Sequence, residues 1–334
     1  MKGKKSMNQK QNLSIVQTRG INRRKRKNKI KYLPIIMFFA ILCIAIWYLF
    51  TKVLINGDWQ KVLPITESAD LYKVSSSLNI NSSNALLIDL KSEKTLFDKD
   101  STKTIYPASM TKIMTAITVL EHVEDLSEKV ILNKEMFNSL YYENSSMAGF
   151  SPGEGVSVID LLYGLLLPSG GECAVGLAEY VSDSESSFVD LMNKKAQEIG
   201  MTNSHFTNTT GLHDKNHYTT AKDMATLLKY ALKNDMFYKI FTSSRHSSSS
   251  TNKHEGGITF YSTLFSRIEN SNFKDGYILG GKTGYTPEAG QCLASLAIKE
   301  EKYYILITAG ANGDNKTQKL HIDDAFTIYS AIRK

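Results

Sequence analysis

The chain has 334 residues and a formal charge of +7, but residues 1–31 hold twelve Lys or Arg and no acid, leaving 28 basic against 33 acidic residues elsewhere. The basic balance therefore belongs to a tail, and the slightly acidic remainder lacks the charge footprint of a nucleic-acid-binding domain. Three cysteines in a chain of this length exclude a disulfide-stapled scaffold.

In chain order, the first feature is Arg23-Arg24-Lys25-Arg26-Lys27, which by itself resembles a polybasic nucleic-acid patch. The next segment argues against that partner. Leu33 to Phe50 is an uncharged apolar run bracketed by Lys31 and Lys52. Spanning the hydrocarbon core of a membrane takes about 17–25 such residues. Basic residues immediately before the run place the N-terminus in the cytoplasm and everything after Lys52 outside. Tyr32, Trp47 and Tyr48 suit the two membrane interfaces. Thr51 to Ile55 are bulky and offer no small-residue cleavage site, so an uncleaved anchor is expected rather than a signal peptide. Bulky Leu42 before Cys43 argues against a lipid attached there. The expected layout is a cytoplasmic tail at 1–31, a transmembrane anchor at 32–51, a polar linker at 52–83 and one globular domain at 84–334.

The globular part opens with strands at Ala85–Leu90 and Thr95–Phe97, joined by a turn at Lys91–Lys94. Met110, Ile113, Ile117 and Leu120 form an apolar stripe, predicting a helix from Ser109 to His122. A second helix is expected from Val158 to Leu167, stopped by Pro168. Others follow at Glu172–Val181, Ser187–Ile199 and Ala221–Leu232. Ser243 to Thr251, with six serines, reads as a polar excursion. Strands are expected at Tyr277–Leu279, Gln291–Lys299 and Tyr303–Ala309, then a closing helix at Lys319–Ile332. Strands at both ends with helices between them imply an α/β fold: a sheet lobe built from both chain ends, with a helical lobe inserted.

Ser-x-x-Lys occurs at Ser109/Lys112, Ser250/Lys253 and Ser271/Lys274. The last two lie in polar, loop-like sequence. Ser109 and Lys112 lie at the start of a periodic helix, where positions i and i+3 share a face and the amine can reach the hydroxyl. The bland alternative is that Ser109 merely caps the helix. Ser169-Gly170-Gly171 is a tight connection between two helices. Lys282-Thr283-Gly284 follows Gly280-Gly281, a strand stripped of side chains on both sides of the lysine, which suits close approach of a ligand backbone. A serine, a lysine one turn on, a second serine and then Lys-Thr-Gly point to a serine acyl-enzyme whose base is a lysine. No metal or cofactor site is expected. His213 and His217 have helical spacing, but Asp214-Lys215-Asn216 between them is turn-prone. Cys173 and Cys292 read as small buried residues, with a pairing outside the cell as the alternative.

With all three motifs in order, the sequence resembles the penicillin-binding D-alanyl-D-alanine carboxypeptidases, the low-molecular-mass D,D-peptidases. Pro107–Lys112, Leu167–Gly170, Thr210-Gly211-Leu212 with His217–Ala221, and Gly281–Gly284 all look like blocks of that family. The resemblance implies a β-lactamase/transpeptidase-like fold. It also implies removal of the terminal D-Ala from peptidoglycan stem peptides ending in D-Ala-D-Ala, with β-lactams as covalent inhibitors. On this chain it implies Ser109 as nucleophile, a neutral Lys112 as base and Ser169 as proton relay. Lys282, Thr283 and Gly284 would hold the substrate, and the amides of Ser109 and Tyr285 would form the oxyanion hole.

One departure stands out: the family's middle motif usually ends in asparagine, and this chain has Gly171. A water or neighbouring side chain would have to fill the gap, and Gly171→Asn is expected to restore hydrogen bonds and raise activity. The basic residue that many relatives place after the last strands is not obvious either, with Lys316 the candidate. The competing readings are a β-lactamase or esterase on the same fold, for which no deacylating glutamate loop is evident, and a wall-binding homologue impaired by Gly171.

Overall fold

The computed structural model describes residues 74–75, 77–314 and 318–333. The expected tail, the anchor at 32–51, most of the linker and Lys316 lie outside the described residues. Among the described residues no helix is long and apolar enough to cross a membrane.

The main sheet has six antiparallel strands. They are β1 (Asn84–Asp89), β2 (Thr95–Lys99), β3 (Asn272–Phe273), β4 (Gly276–Thr286), β5 (Gly290–Lys299) and β6 (Lys302–Ala311), in the order β2-β1-β6-β5-β4-β3. β1 pairs along its whole length with β6, Asn84 opposite Ala309 and Asp89 opposite Tyr304. The sheet is thus built from both ends of the domain, as the pattern of elements implied. It is buried on both faces, which explains the near-continuous apolar runs of its central strands. Along β6, Ile305, Ile307 and Ala309 join the larger core under the helical lobe. Tyr304 and Leu306 join a second core, closed by the last helix through Ile322, Ala325, Ile328 and Tyr329.

The helices are α1 (Lys112–His122), α2 (Lys134–Tyr142), α3 (Val158–Leu166), α4 (Gly171–Ser182), α5 (Glu185–Glu198), α6 (Ala221–Ala231), α7 (Asp235–Phe241) and α8 (Leu320–Ser330). Every residue of α1 from Lys112 to Val119 is buried. A helix enclosed on all sides is the centre of its lobe, and α1 is packed by α3, α4, α5, α6 and α7. Helices α2 and α7 were not anticipated from the sequence.

Two segments are more ordered than their composition suggested. Residues 77–83 of the expected linker belong to the domain. Ile80 is buried, and the Asp324 carboxylate accepts from the amides of Asn81 and Ser82 and from both of their side chains, at 2.6–2.9 Å. The serine-rich excursion holds a hairpin, Arg245–Ser247 against Thr259–Tyr261. Two histidine–carboxylate pairs tie it to the helical lobe, His246 to Asp160 and His254 to Glu154, each at 2.8 Å. Asn252 adds a third tie, accepting from the Gly155 amide at 2.8 Å.

Candidate active site

Ser109 lies in a single 3-10 turn, Ala108–Thr111, that leads directly into α1. Its side chain does not cap the helix, so the bland reading of this serine fails. Lys112 is the first residue of α1, and its Nζ lies 3.2 Å from Ser109 Oγ and 2.6 Å from the Thr210 carbonyl oxygen. Lys112 is 2 % exposed. Burial lowers its pKa to about 8, opposed by the nearby charge of Glu172. The other two Ser-x-x-Lys pairs have exposed lysines.

The Thr210 carbonyl is fixed by the loop that carries it. Thr209 donates to Glu185 through both amide and hydroxyl and accepts from Thr115 through its carbonyl. Gly211 has φ +81°, and a side chain there would strike the Ala108 carbonyl. Buried His217 closes the loop. Its Nδ1 accepts from the Thr207 amide at 3.1 Å, so the proton sits on Nε2, which donates to Thr111 Oγ1 at 2.8 Å. Burial pushes the His217 pKa down to about 4 and keeps the ring neutral. His213 points elsewhere, to Glu288 at 4.0 Å, so the two histidines do not converge.

Ser169 sits between α3 and α4 with φ +72°, unusual for a residue with a side chain. Its Oγ is buried and has no hydrogen-bond partner among the described residues. It lines the same small cavity as Ser109, about 90 Å³ in volume. The space over Gly171 is already taken, since a Cβ there would lie 2.2 Å from Ser145 Oγ. An asparagine at 171 would therefore have to turn the Ser145 side chain aside before it could restore the expected hydrogen bonds. Glu172, next along, is fully buried, and its Oε1 accepts from the amides of Ala148, Gly149 and Phe150. Burial raises its pKa, opposed by those backbone bonds.

Strand β4 forms the facing wall. Its neighbour β3 reaches only Gly276 and Tyr277, so the later part of that edge has no strand partner among the described residues. Lys282 is fully buried, against the usual expectation for a lysine in a strand. Its Nζ donates to the Thr283 carbonyl at 2.9 Å. Burial, and then the charge of Lys112, hold its pKa well below that of a free lysine. Two ammonium groups in one dry site oppose each other, so a neutral amine is attainable here without a histidine. Thr283 Oγ1 lies 2.7 Å from Thr263 Oγ1, just past the hairpin strand Thr259–Tyr261.

The glycines around Lys282 admit protein rather than ligand. A side chain at Gly280 would strike the Phe241 carbonyl, and one at Gly281 the Leu264 side chain. At Gly284 a Cβ would stand 3.1 Å from the Ser109 amide nitrogen. Gly284 thus lets the strand run against the nucleophile's own turn. Thr283, Gly284 and Tyr285 line the cavity with Ser109 and Ser169.

Sequence reasoning missed Ser146, Thr263, Arg267 and His321, which also line that cavity. Arg267 brings a guanidinium to the cavity wall from before β4, not from after the last strands. Nothing in its local sequence marked it, because it lies in a short 3-10 turn, Phe265–Arg267, that no periodicity announces. Cys173 and Cys292 are both buried and unpaired.

A serine and a neutralisable lysine on one helix turn, opposite a Lys-Thr strand beside a buried second serine, define a lysine-assisted serine peptidase site. Residues 71–313 match the D-alanyl-D-alanine carboxypeptidase family, peptidase family S11. The chain belongs to that family. It is 35% identical over 268 residues to the D-alanyl-D-alanine carboxypeptidase DacF of Bacillus subtilis, covering 77% of this chain and 65% of that protein. It is 31% identical over 254 residues to DacC of Escherichia coli, covering 70% and 59%. The chain thus spans about 60–65% of the length of these relatives. The crystal structure of the Streptomyces K15 DD-transpeptidase superposes with a TM-score of 0.67 at 28% identity, covering 76% of this chain and 97% of that one. A D-alanyl-D-alanine carboxypeptidase from Mycobacterium tuberculosis, at 24% identity and a TM-score of 0.64, shares the fold.

Proposed function

We propose that this chain is a serine D-alanyl-D-alanine carboxypeptidase that removes the terminal D-Ala from peptidoglycan stem peptides. The observation that carries this reading is the Ser109–Lys112 pair, 3.2 Å apart, with the lysine buried and its pKa lowered to about 8. Lys112, as the free amine, takes the proton from Ser109 Oγ as the oxygen attacks the penultimate residue's carbonyl. The amides of Ser109 and Tyr285 face the developing oxyanion, and losing one such donor typically costs about 100- to 1000-fold in rate. Ser169 carries a proton to the leaving amine. Thr283, with Lys282 behind it and Arg267 beside it, holds the terminal carboxylate. Water then attacks the acyl-enzyme and frees Ser109.

The residues before the domain support a location: a cytoplasmic basic tail, a single span at 33–50 and the peptidase domain outside the membrane. Protease added to intact, wall-stripped cells should release a soluble domain fragment, whereas full protection would reverse the orientation.

Labelled penicillin tests the chemistry. A long-lived adduct mapped to Ser109 is the expected result. Rapid release of the label would favour the β-lactamase or esterase reading, and no adduct would favour a wall-binding protein without turnover.

A further inference from the structure

Gly171 has no side chain, and the structure shows what its absence admits. The loop after α2 closes onto the start of α4. Ser145 donates its amide to the Leu140 carbonyl at 2.9 Å, and Ser146 accepts the Gly171 amide at 2.7 Å. A Cβ on Gly171 would lie 2.2 Å from Ser145 Oγ and 3.1 Å from a Leu140 methyl. One on Gly170 would lie 2.8 Å from the Ala148 Cβ and 3.0 Å from its amide nitrogen. At Gly170 a side chain would meet the Ala148 backbone, so that glycine is needed for the loop to seat; at Gly171 it would meet the hydroxyl end of Ser145, which would have to turn aside. The far end of the loop is held by Glu172, whose Oε1 takes the amides of Ala148, Gly149 and Phe150 at 2.7, 2.8 and 3.3 Å. With both ends held, Ser146 is placed on the wall of the cavity that Ser109, Ser169 and Thr283 share. Its backbone is occupied by Gly171, and its exposed side chain is left to the cleft.

We infer that Ser146 is a substrate-contacting residue of this peptidase, presented by a loop that Gly170 and Gly171 admit and Glu172 anchors. A peptide laid along the free edge of β4 is paired on one side only. A hydroxyl on the opposite wall, able to donate or accept, holds the second side of the amide next to the scissile bond. Gly170 is then the condition for a different polar group to reach the substrate, while Gly171 leaves room for Ser145 beside it. Glu172 is a positioning residue that acts through the loop.

The inference rests on the proposed peptidase activity, and the test separates the two. Kinetics of D-Ala release from a synthetic peptide ending in D-Ala-D-Ala, and of penicillin acylation, are measured for wild type, Ser146→Ala and Ser146→Thr, with thermal unfolding alongside. A wild type that does neither reaction sinks the activity, and with it this role. Given an active wild type, Ser146→Ala should lose about tenfold in kcat/KM at unchanged Tm, the scale of one uncharged hydrogen bond. Ser146→Thr, which keeps the hydroxyl, should recover most of it. An unchanged kcat/KM in well-folded Ser146→Ala overturns the inference. Gly170→Ala, whose Cβ would meet Ala148 Cβ and its backbone, should shift the loop and lose activity to a similar degree. A fully active Gly170→Ala overturns the loop's part in it.

Discussion

The amine of Lys112 lies nearer to the Thr210 carbonyl oxygen, at 2.6 Å, than to the hydroxyl of Ser109, at 3.2 Å. A carbonyl only accepts, so this contact uses one N–H of the amine. With one N–H fixed, the lone pair of the neutral form can be directed at Ser109. The loop that carries Thr210 therefore bears on the orientation of the base as well as on its position.

The first prediction concerns pH. In the proposed mechanism the neutral amine is the base, and burial lowers its pKa to about 8. Below that value the reactive fraction falls tenfold per pH unit, and above it the fraction levels off. The second-order rate of acylation by penicillin should rise with pH from 6 to about 8 and then flatten. A flat profile across pH 6–9 would rule out Lys112 as the titrating base.

A second prediction separates stability from activity. Lys112 has its pKa lowered from 10.5 to about 8 by burial. Between those values the unfolded chain binds more protons than the folded one, so stability gains from this group as pH rises through the window. At pH 7 the folded protein carries the full penalty, of order 3 kcal/mol for a shift of that size. Lys112→Met, similar in volume and apolar, should abolish acylation yet raise Tm at pH 7. A lower Tm at pH 7 would show that the lysine's hydrogen bonds outweigh its desolvation.

The third concerns the serine-rich excursion. Asp160 is 2 % exposed and accepts from His246 Nε2, Ser157 Oγ and the Ser249 amide. Thr263, two residues past the hairpin that the excursion opens, meets Thr283 in the cleft. Asp160→Ala removes the carboxylate from three partners and should cost about 3 kcal/mol. It should also slow acylation, through the loosened hairpin that leads to Thr263. Urea unfolding and penicillin acylation measure the two effects, and a stable variant with unchanged acylation would mean that the hairpin is held without this residue.

A fourth prediction addresses the guanidinium at the cleft. Arg267→Gln keeps a polar side chain but removes the charge beside Thr283. KM for a D-Ala-D-Ala peptide should rise about tenfold, with a smaller change in kcat, as for a lost charge-assisted contact made in both ground and transition states. An unaltered KM would remove Arg267 from carboxylate recognition.

The sheet, its assembly from both chain ends and the central helix were legible because their signals are local: apolar runs of strand length and a stripe at helical spacing. Ser109, Lys112, Ser169 and Lys282 were legible as motifs whose residues the fold brings to one cleft. Arg267, Thr263 and Ser146 were not, because each arrives on a loop whose path is decided by contacts distant in sequence. The gap at 171 was visible in the sequence, but what fills it was not. Ser145 meets Gly171 across 26 residues, and no periodicity connects them. Residues 77–83 misled for a related reason. Their polar composition resembles a linker, yet their polar groups are satisfied by Asp324, more than 240 positions away.

The pairing of β1 with β6 sets an order of events for making this protein. The sheet cannot be completed until the ribosome has passed residue 311, because the strand made first waits for the strand made last. Pairings this distant close slowly. A growing chain therefore has no finished sheet to resist being threaded through a membrane pore. If the domain matures outside the membrane, its export in extended form follows from the strand order itself, and truncation before β6 should leave β1 without its long-range partner and the exported domain unfolded.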